Sequence, residues 1–145
     1  MPDALSMNRT SSAPGSAGRK RVLVADDEAS MRLLLRVNLP LSGYDVVEAA
    51  DGETALAVAR EEHVDLILLD VMLPGISGFD VAEHLRKDSA TAHIPIVFVS
   101  ARADEADVRH GLELGALGYI TKPFDPLSLG RRLDELTDAR AQDGS

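Results

Sequence analysis

The chain has no cysteine among its 145 residues, so neither a disulfide framework nor a thiolate metal site contributes to it. No apolar run approaches the ~20 residues of a membrane-spanning helix, and the N-terminus lacks the apolar stretch of a secretory signal. These absences suit a reducing compartment, and a soluble, cytoplasmic protein without membrane association is expected. Positive charge is scarce too: the net charge is −9, with the first 20 residues carrying +2 and the other 125 therefore −11. A surface that acidic cannot neutralise many phosphates, which argues against direct nucleic-acid binding and for protein partners or bound cations.

What the chain does have is a regular alternation. Residues 1–20 are rich in Ser, Ala, Gly and Pro with no apolar period and read as a disordered tail. Residues 138–145 read as a frayed end, which leaves one domain over 21–137. Within it, five short runs of mostly β-branched or leucine residues stand at 21–25, 45–49, 64–69, 94–99 and 118–121. Several are continuously apolar, as strands buried on both faces of a parallel sheet must be. Each is followed by apolar residues at helical spacing, such as Met31, Leu34, Leu35 and Leu39 after the first, and Val108, Leu112 and Leu114 after the fourth. Pro40 is expected to end the first helix. Five βα units predict a doubly wound α/β sandwich with right-handed crossovers, since a barrel needs eight.

In such sheets ligands bind beyond the carboxyl ends of the strands, near the point where strand order reverses. Asp26, Asp27 and Glu28 follow the first strand, Asp70 the third, Ser100 the fourth and Lys122 the fifth. If the first and third strands are neighbours, Asp26, Asp27 and Asp70 converge. Two unit charges about 4 Å apart repel by about 4 kcal/mol at an effective dielectric of ~20. Such a group takes up protons or holds a cation, and a hard, all-oxygen site with few protein ligands suits Mg²⁺. One aspartate there would be explained as a helix cap, but two in succession with a third opposite are not. Lys122, closing an apolar strand, supplies a point charge able to reach a phosphate or Asp70.

Four segments carry a family likeness: Val22-Leu23-Val24-Ala25-Asp26-Asp27, Leu68-Leu69-Asp70-Val71-Met72-Leu73-Pro74-Gly75, Val97-Phe98-Val99-Ser100-Ala101 and Gly118-Tyr119-Ile120-Thr121-Lys122-Pro123-Phe124. In this order they resemble the receiver domain of two-component response regulators, of the single-domain chemotaxis type. The resemblance implies a flavodoxin-like (βα)5 sandwich around a parallel five-stranded sheet of order 2-1-3-4-5. It implies Asp70 as the phosphoacceptor, with Mg²⁺ held by Asp27, Asp70 and the backbone carbonyl of Met72, and Asp26 acting largely through water. Ser100, with Ala101 beside it, would take the place of the hydroxyl switch residue that binds phosphate. Lys122 would match the phosphate-binding lysine, and Tyr119 the aromatic that turns inward on activation. The Lys122–Pro123 bond would be cis. Met72 and Arg102 would flank the pocket and tune the lifetime of the phosphoryl group.

The partners so implied are a histidine kinase or histidine phosphotransfer protein upstream and an unidentified protein downstream. The chain would be a monomer or weak phosphorylation-dependent dimer, and no enzyme beyond its own phosphorylation and dephosphorylation. It is read as a stand-alone receiver, with a phosphorylation-independent adaptor and a fragment of a longer regulator as alternatives. Ser77-Gly78 replaces a commoner Asp-Gly with little expected consequence. Leu117-Gly118 lacks the acidic residues that winged-helix regulators often carry before the aromatic. A haloacid-dehalogenase-type phosphatase would have a second Asp where Met72 stands. A flavodoxin-like cofactor binder would not place Asp26-Asp27-Glu28 against a phosphate. His63, His84, His93 and His110 lack metal-ligand spacing and read as surface residues.

Overall fold

The computed structural model describes residues 19–144, with side chains from 140 onward excepted. Five parallel strands form one sheet, β1 (Lys20–Ala25), β2 (Tyr44–Ala49), β3 (Leu66–Leu69), β4 (Ile96–Ser100) and β5 (Gly118–Thr121), in the order β2-β1-β3-β4-β5. The helices between and after them are α1 (Ala29–Asn38), α2 (Gly52–Glu61), α3 (Gly78–Lys87), α4 (Glu105–Glu113) and α5 (Pro126–Gly144). The expected (βα)5 architecture and strand order are both present.

Successive side chains of a strand point to opposite faces, so each apolar run feeds two cores. Leu23, Ala25, Ile67, Leu69, Ile96 and Phe98 meet Ala55 and Ala59 of α2 and Val81, Ala82 and Leu85 of α3. Val22, Val24, Leu66, Leu68, Val97 and Val99 meet Leu35 of α1 and Leu129 and Leu133 of α5. Every residue of β3 and β4 is buried.

Several boundaries differ from the sequence expectation for identifiable reasons. Lys20, placed in the tail, opens β1 opposite Tyr44, and Arg19 bonds Asp45 at 2.8 Å. The rest of the expected N-terminal tail, residues 1–18, lies outside the described residues, as does Ser145. Asp138, where fraying was expected to begin, lies within α5. Pro40 does stop the α-helix, but the chain tightens into a 3-10 turn over Leu39–Ser42 before leaving through Gly43 at φ 92°. In α4 the apolar spacing misleads: Leu112 is 47% exposed, and the buried positions are Asp107 and Gly111. A Cβ at Gly111 would lie 2.9 Å from the Phe98 ring, so the helix can approach the sheet there only without a side chain.

Candidate functional site

β1 and β3 are hydrogen-bonded neighbours, and their next residues continue the register: the Asp70 N–H donates to the Ala25 carbonyl at 3.0 Å. Two adjacent parallel strands therefore deliver Asp26 and Asp70 side by side, with Asp27 one residue further. One carboxylate oxygen from each of Asp26, Asp27 and Asp70 lies within 4.8 Å of the others. Asp26 and Asp70 are buried and Asp27 is exposed, so the cluster has a protected floor and an open mouth.

Lys122 reaches in from beyond β5. Its Nζ donates to Asp26 Oδ2 at 2.7 Å and Asp70 Oδ2 at 3.1 Å, with Glu28 Oε1 at 3.5 Å. The Lys122 side chain is 11% exposed. Its N–H donates to the Ser100 carbonyl at 3.0 Å, and the bond to Pro123 is cis, as expected. Desolvation alone would pull the Lys122 ammonium down, but its bonds to Asp26 and Asp70 outweigh it and push the group up to about 12. Burial moves the Asp26 carboxyl above its ordinary range, against the pull of Lys122 and of the Glu28 N–H, which donates to Oδ1 at 2.9 Å.

With three carboxylates and one ammonium, the pocket carries −2 before Glu28 is counted. The donor set is entirely hard oxygen. An octahedral ion about 2.1 Å from its ligands separates them by roughly 3–4 Å, comparable with the spread seen here, and a divalent charge balances the pocket. The residues present thus fit Mg²⁺.

Of the other expected residues, Met72 follows β3, Ser100 ends β4 with Ala101 after it, and Tyr119 lies within β5. Met72 lies two residues past Asp70; its N–H donates to Asp70 Oδ1 at 3.0 Å while its side chain is 58% exposed. Ser100 is fully buried at the end of β4, and its Oγ accepts from the Arg102 N–H at 3.1 Å. Ala101 is exposed. Tyr119 is half-buried on β5, its ring tilted against Phe98 at 5.8 Å, and its hydroxyl donates to the Arg102 carbonyl.

Sequence reasoning missed the support given by Arg32 and by Gly78. Arg32, on α1, donates to the Asp26 carbonyl at 2.8 Å and to Glu48 Oε1 at 3.2 Å, tying the acidic loop to β2. Gly78 starts α3 directly against the Asp70 backbone. A Cβ there would lie 2.1 Å from the Asp70 carbonyl oxygen, and its N–H donates to Val71 at 2.8 Å. Ser77 caps the same helix by accepting from the Asp80 N–H at 3.2 Å, which explains why it can stand in for Asp. His110, read as a surface residue, is exposed but packs edge-on against Phe79 at 4.5 Å.

Residues 22–134 match the family model described as "Response regulator receiver domain". Among curated proteins, the probable transcriptional regulator ycf27 of Cyanophora paradoxa is 48% identical over 118 residues, covering 81% of this chain and 48% of that one. The phosphate regulon transcriptional regulatory protein PhoB of Pseudomonas aeruginosa is 46% identical over 114 residues, covering 79% and 50%. The chain spans about half the length of the curated relatives it matches. Among solved structures, a CheY-like response regulator receiver domain protein from Methanospirillum hungatei superposes with TM-score 0.79 at 28% identity, over 87% of this chain and 99% of that one.

Proposed function

Because the chain belongs to the response regulator receiver domain family, we propose that it accepts a phosphoryl group on Asp70 from a histidine kinase or histidine phosphotransfer protein and passes the signal on by changing protein contacts. One observation carries this reading: three carboxylates from two adjacent strands converge within 4.8 Å, with an ammonium bridging two of them.

In the transfer, an Asp70 oxygen attacks phosphorus; the new O–P bond forms as the P–N bond of the donor breaks, and the imidazole leaves with the electron pair. Asp27, Asp70 and the Met72 carbonyl, with Asp26 nearby, would hold Mg²⁺, which would supply positive charge for the transferring oxygens. Lys122 supplies the rest of that charge, and the Ser100 hydroxyl donates to a phosphoryl oxygen. The Met72 N–H and Lys122 hold the Asp70 carboxylate from both of its oxygens, so it need not reorient to react. Attack of water on the acyl phosphate releases inorganic phosphate and resets the site. The chain catalyses these steps on itself and on no separate substrate, and Met72 and Arg102 at the pocket rim set their rate.

The bound phosphoryl group adds close to two negative charges, which favours a rearranged Ser100–Tyr119 region and alters the face formed by α4, β5 and α5. The relatives named as transcriptional regulators extend this reading. The domain acts on its target through another protein or a joined domain, a reading supported by the net −11 of residues 21–145, which argues against direct nucleic-acid binding. A cytoplasmic location goes with this partnership; among the described residues no helix is long and apolar enough to cross a membrane.

Incubation with acetyl phosphate and Mg²⁺, read by intact mass, tests the acceptor. One added phosphoryl group is expected on the natural sequence and none on Asp70→Asn. Equal labelling of both refutes the assignment.

A further inference from the structure

Outside the acidic pocket, Asp107 is the one buried charged residue among the described residues, at 7% exposure. A buried carboxylate must be paired, and its partner here comes from the loop that leaves the pocket: Arg102 Nε lies 3.0 Å from Asp107 Oδ2. Arg102 is also held at both ends of its backbone. Its N–H donates to the Ser100 hydroxyl at 3.1 Å, and its carbonyl accepts from the Tyr119 hydroxyl. One residue thus joins the Ser100 hydroxyl, the aromatic of β5 and the first turn of α4.

A plain helix-start role does not account for Asp107. Asp104 already caps α4, accepting from the Asp107 N–H at 2.9 Å, and Glu105 offers the helix dipole a carboxylate without burial, its side chain being 94% exposed. Apolar anchoring of α4 is thin as well. Its buried positions are Asp107 and Gly111, while Leu112 faces solvent. A helix so weakly seated is free to move when its polar tie moves.

Building on the phosphoacceptor reading above, we propose that the Arg102–Asp107 ion pair is the positioning link that carries displacement of Ser100 to α4. When the Ser100 hydroxyl turns to a phosphoryl oxygen, it gives up the Arg102 N–H. The loop then shifts, and Asp107, tied to the Arg102 guanidinium, takes the N-terminal turn of α4 with it.

The test is amide NMR of the whole chain, natural sequence against Asp107→Asn and Arg102→Gln, each saturated with beryllofluoride and Mg²⁺. In the natural sequence the probe is expected to displace resonances at Ser100, Tyr119 and across Glu105–Glu113. In both variants the displacement over α4, relative to that at Ser100, is expected to fall by about half or more. An undiminished ratio overturns the link. No displacement at Asp70 or Ser100 in the natural sequence overturns the phosphoacceptor reading instead. If circular dichroism shows Asp107→Asn unfolded, Arg102→Gln, altered at a side chain 55% exposed, decides alone.

Discussion

Replacing Lys122 by methionine tests the charge balance of the pocket most directly. The substitution keeps most of the side chain's length and packing and removes the ammonium 2.7 Å from Asp26 and 3.1 Å from Asp70. Asp26 and Asp70 are buried, and removing one member of a buried pair costs about 3–5 kcal/mol. Protonation of Asp26 offsets part of this, since burial already holds its carboxyl above the ordinary range. The lower end, about 3 kcal/mol at pH 7, is therefore expected, which at a slope near 1.5 kcal/mol per molar urea moves the midpoint down by roughly 2 M. The pH dependence has a definite sign. A carboxyl whose folded pKa is raised contributes stability below its unfolded value and loses it as pH rises through the folded value. Deprived of Lys122, the Asp26 carboxyl shifts further upward, so the deficit should shrink from pH 7 to pH 5. Urea titrations of both proteins at the two pH values give the answer. A midpoint unchanged at pH 7, or a deficit equal at both, would refute the reasoning.

Other substitutions probe separate parts of the site and fold. Asp27→Ala removes the exposed carboxylate of the cluster; stability without metal is expected to hold or rise, while Mg²⁺ affinity measured by calorimetry falls at least about tenfold. Gly78→Ala forces a Cβ onto the Asp70 carbonyl oxygen, and a loss of about 2–4 kcal/mol with much slower acetyl phosphate labelling is expected; labelling at the natural rate would show the close approach to be dispensable. Tyr44→Phe deletes a buried hydroxyl that donates to Asp134 at 2.5 Å, at a cost of about 1–3 kcal/mol in urea unfolding. Burial first, then Asp134, holds the Tyr44 proton well above pH 10, so this stability is complete below pH 10 and declines above it. The variant should lose that part of the alkaline decline.

The fold was readable because parallel strands buried on two faces must be continuously apolar, and β3 and β4 show nothing else. The acidic residues and Lys122 were readable because each directly follows or closes such a run. What escaped notice depends on contacts between distant segments. Nothing around Gly78 in the chain announces that α3 starts against Asp70, and nothing near Arg32 shows that its guanidinium spans the Asp26 carbonyl and Glu48. In α4 the periodicity pointed to Leu112, but the short distance to the Phe98 ring selects Gly111 as the inward position. Asp107 looks like an ordinary helix-start acid until its burial and its arginine are seen.

All five strands run the same way, so the pocket and the entry to β1 lie at opposite ends of the sheet, roughly 20 Å apart at about 3.3 Å per residue. Arg19 pins that entry, donating to Asp45 and to the Pro40 and Tyr44 carbonyls. A dye or surface tether attached ahead of Arg19 would therefore hold the molecule by its base and leave the acidic mouth facing the solution. Immobilised kinase-binding and single-molecule measurements can be oriented accordingly.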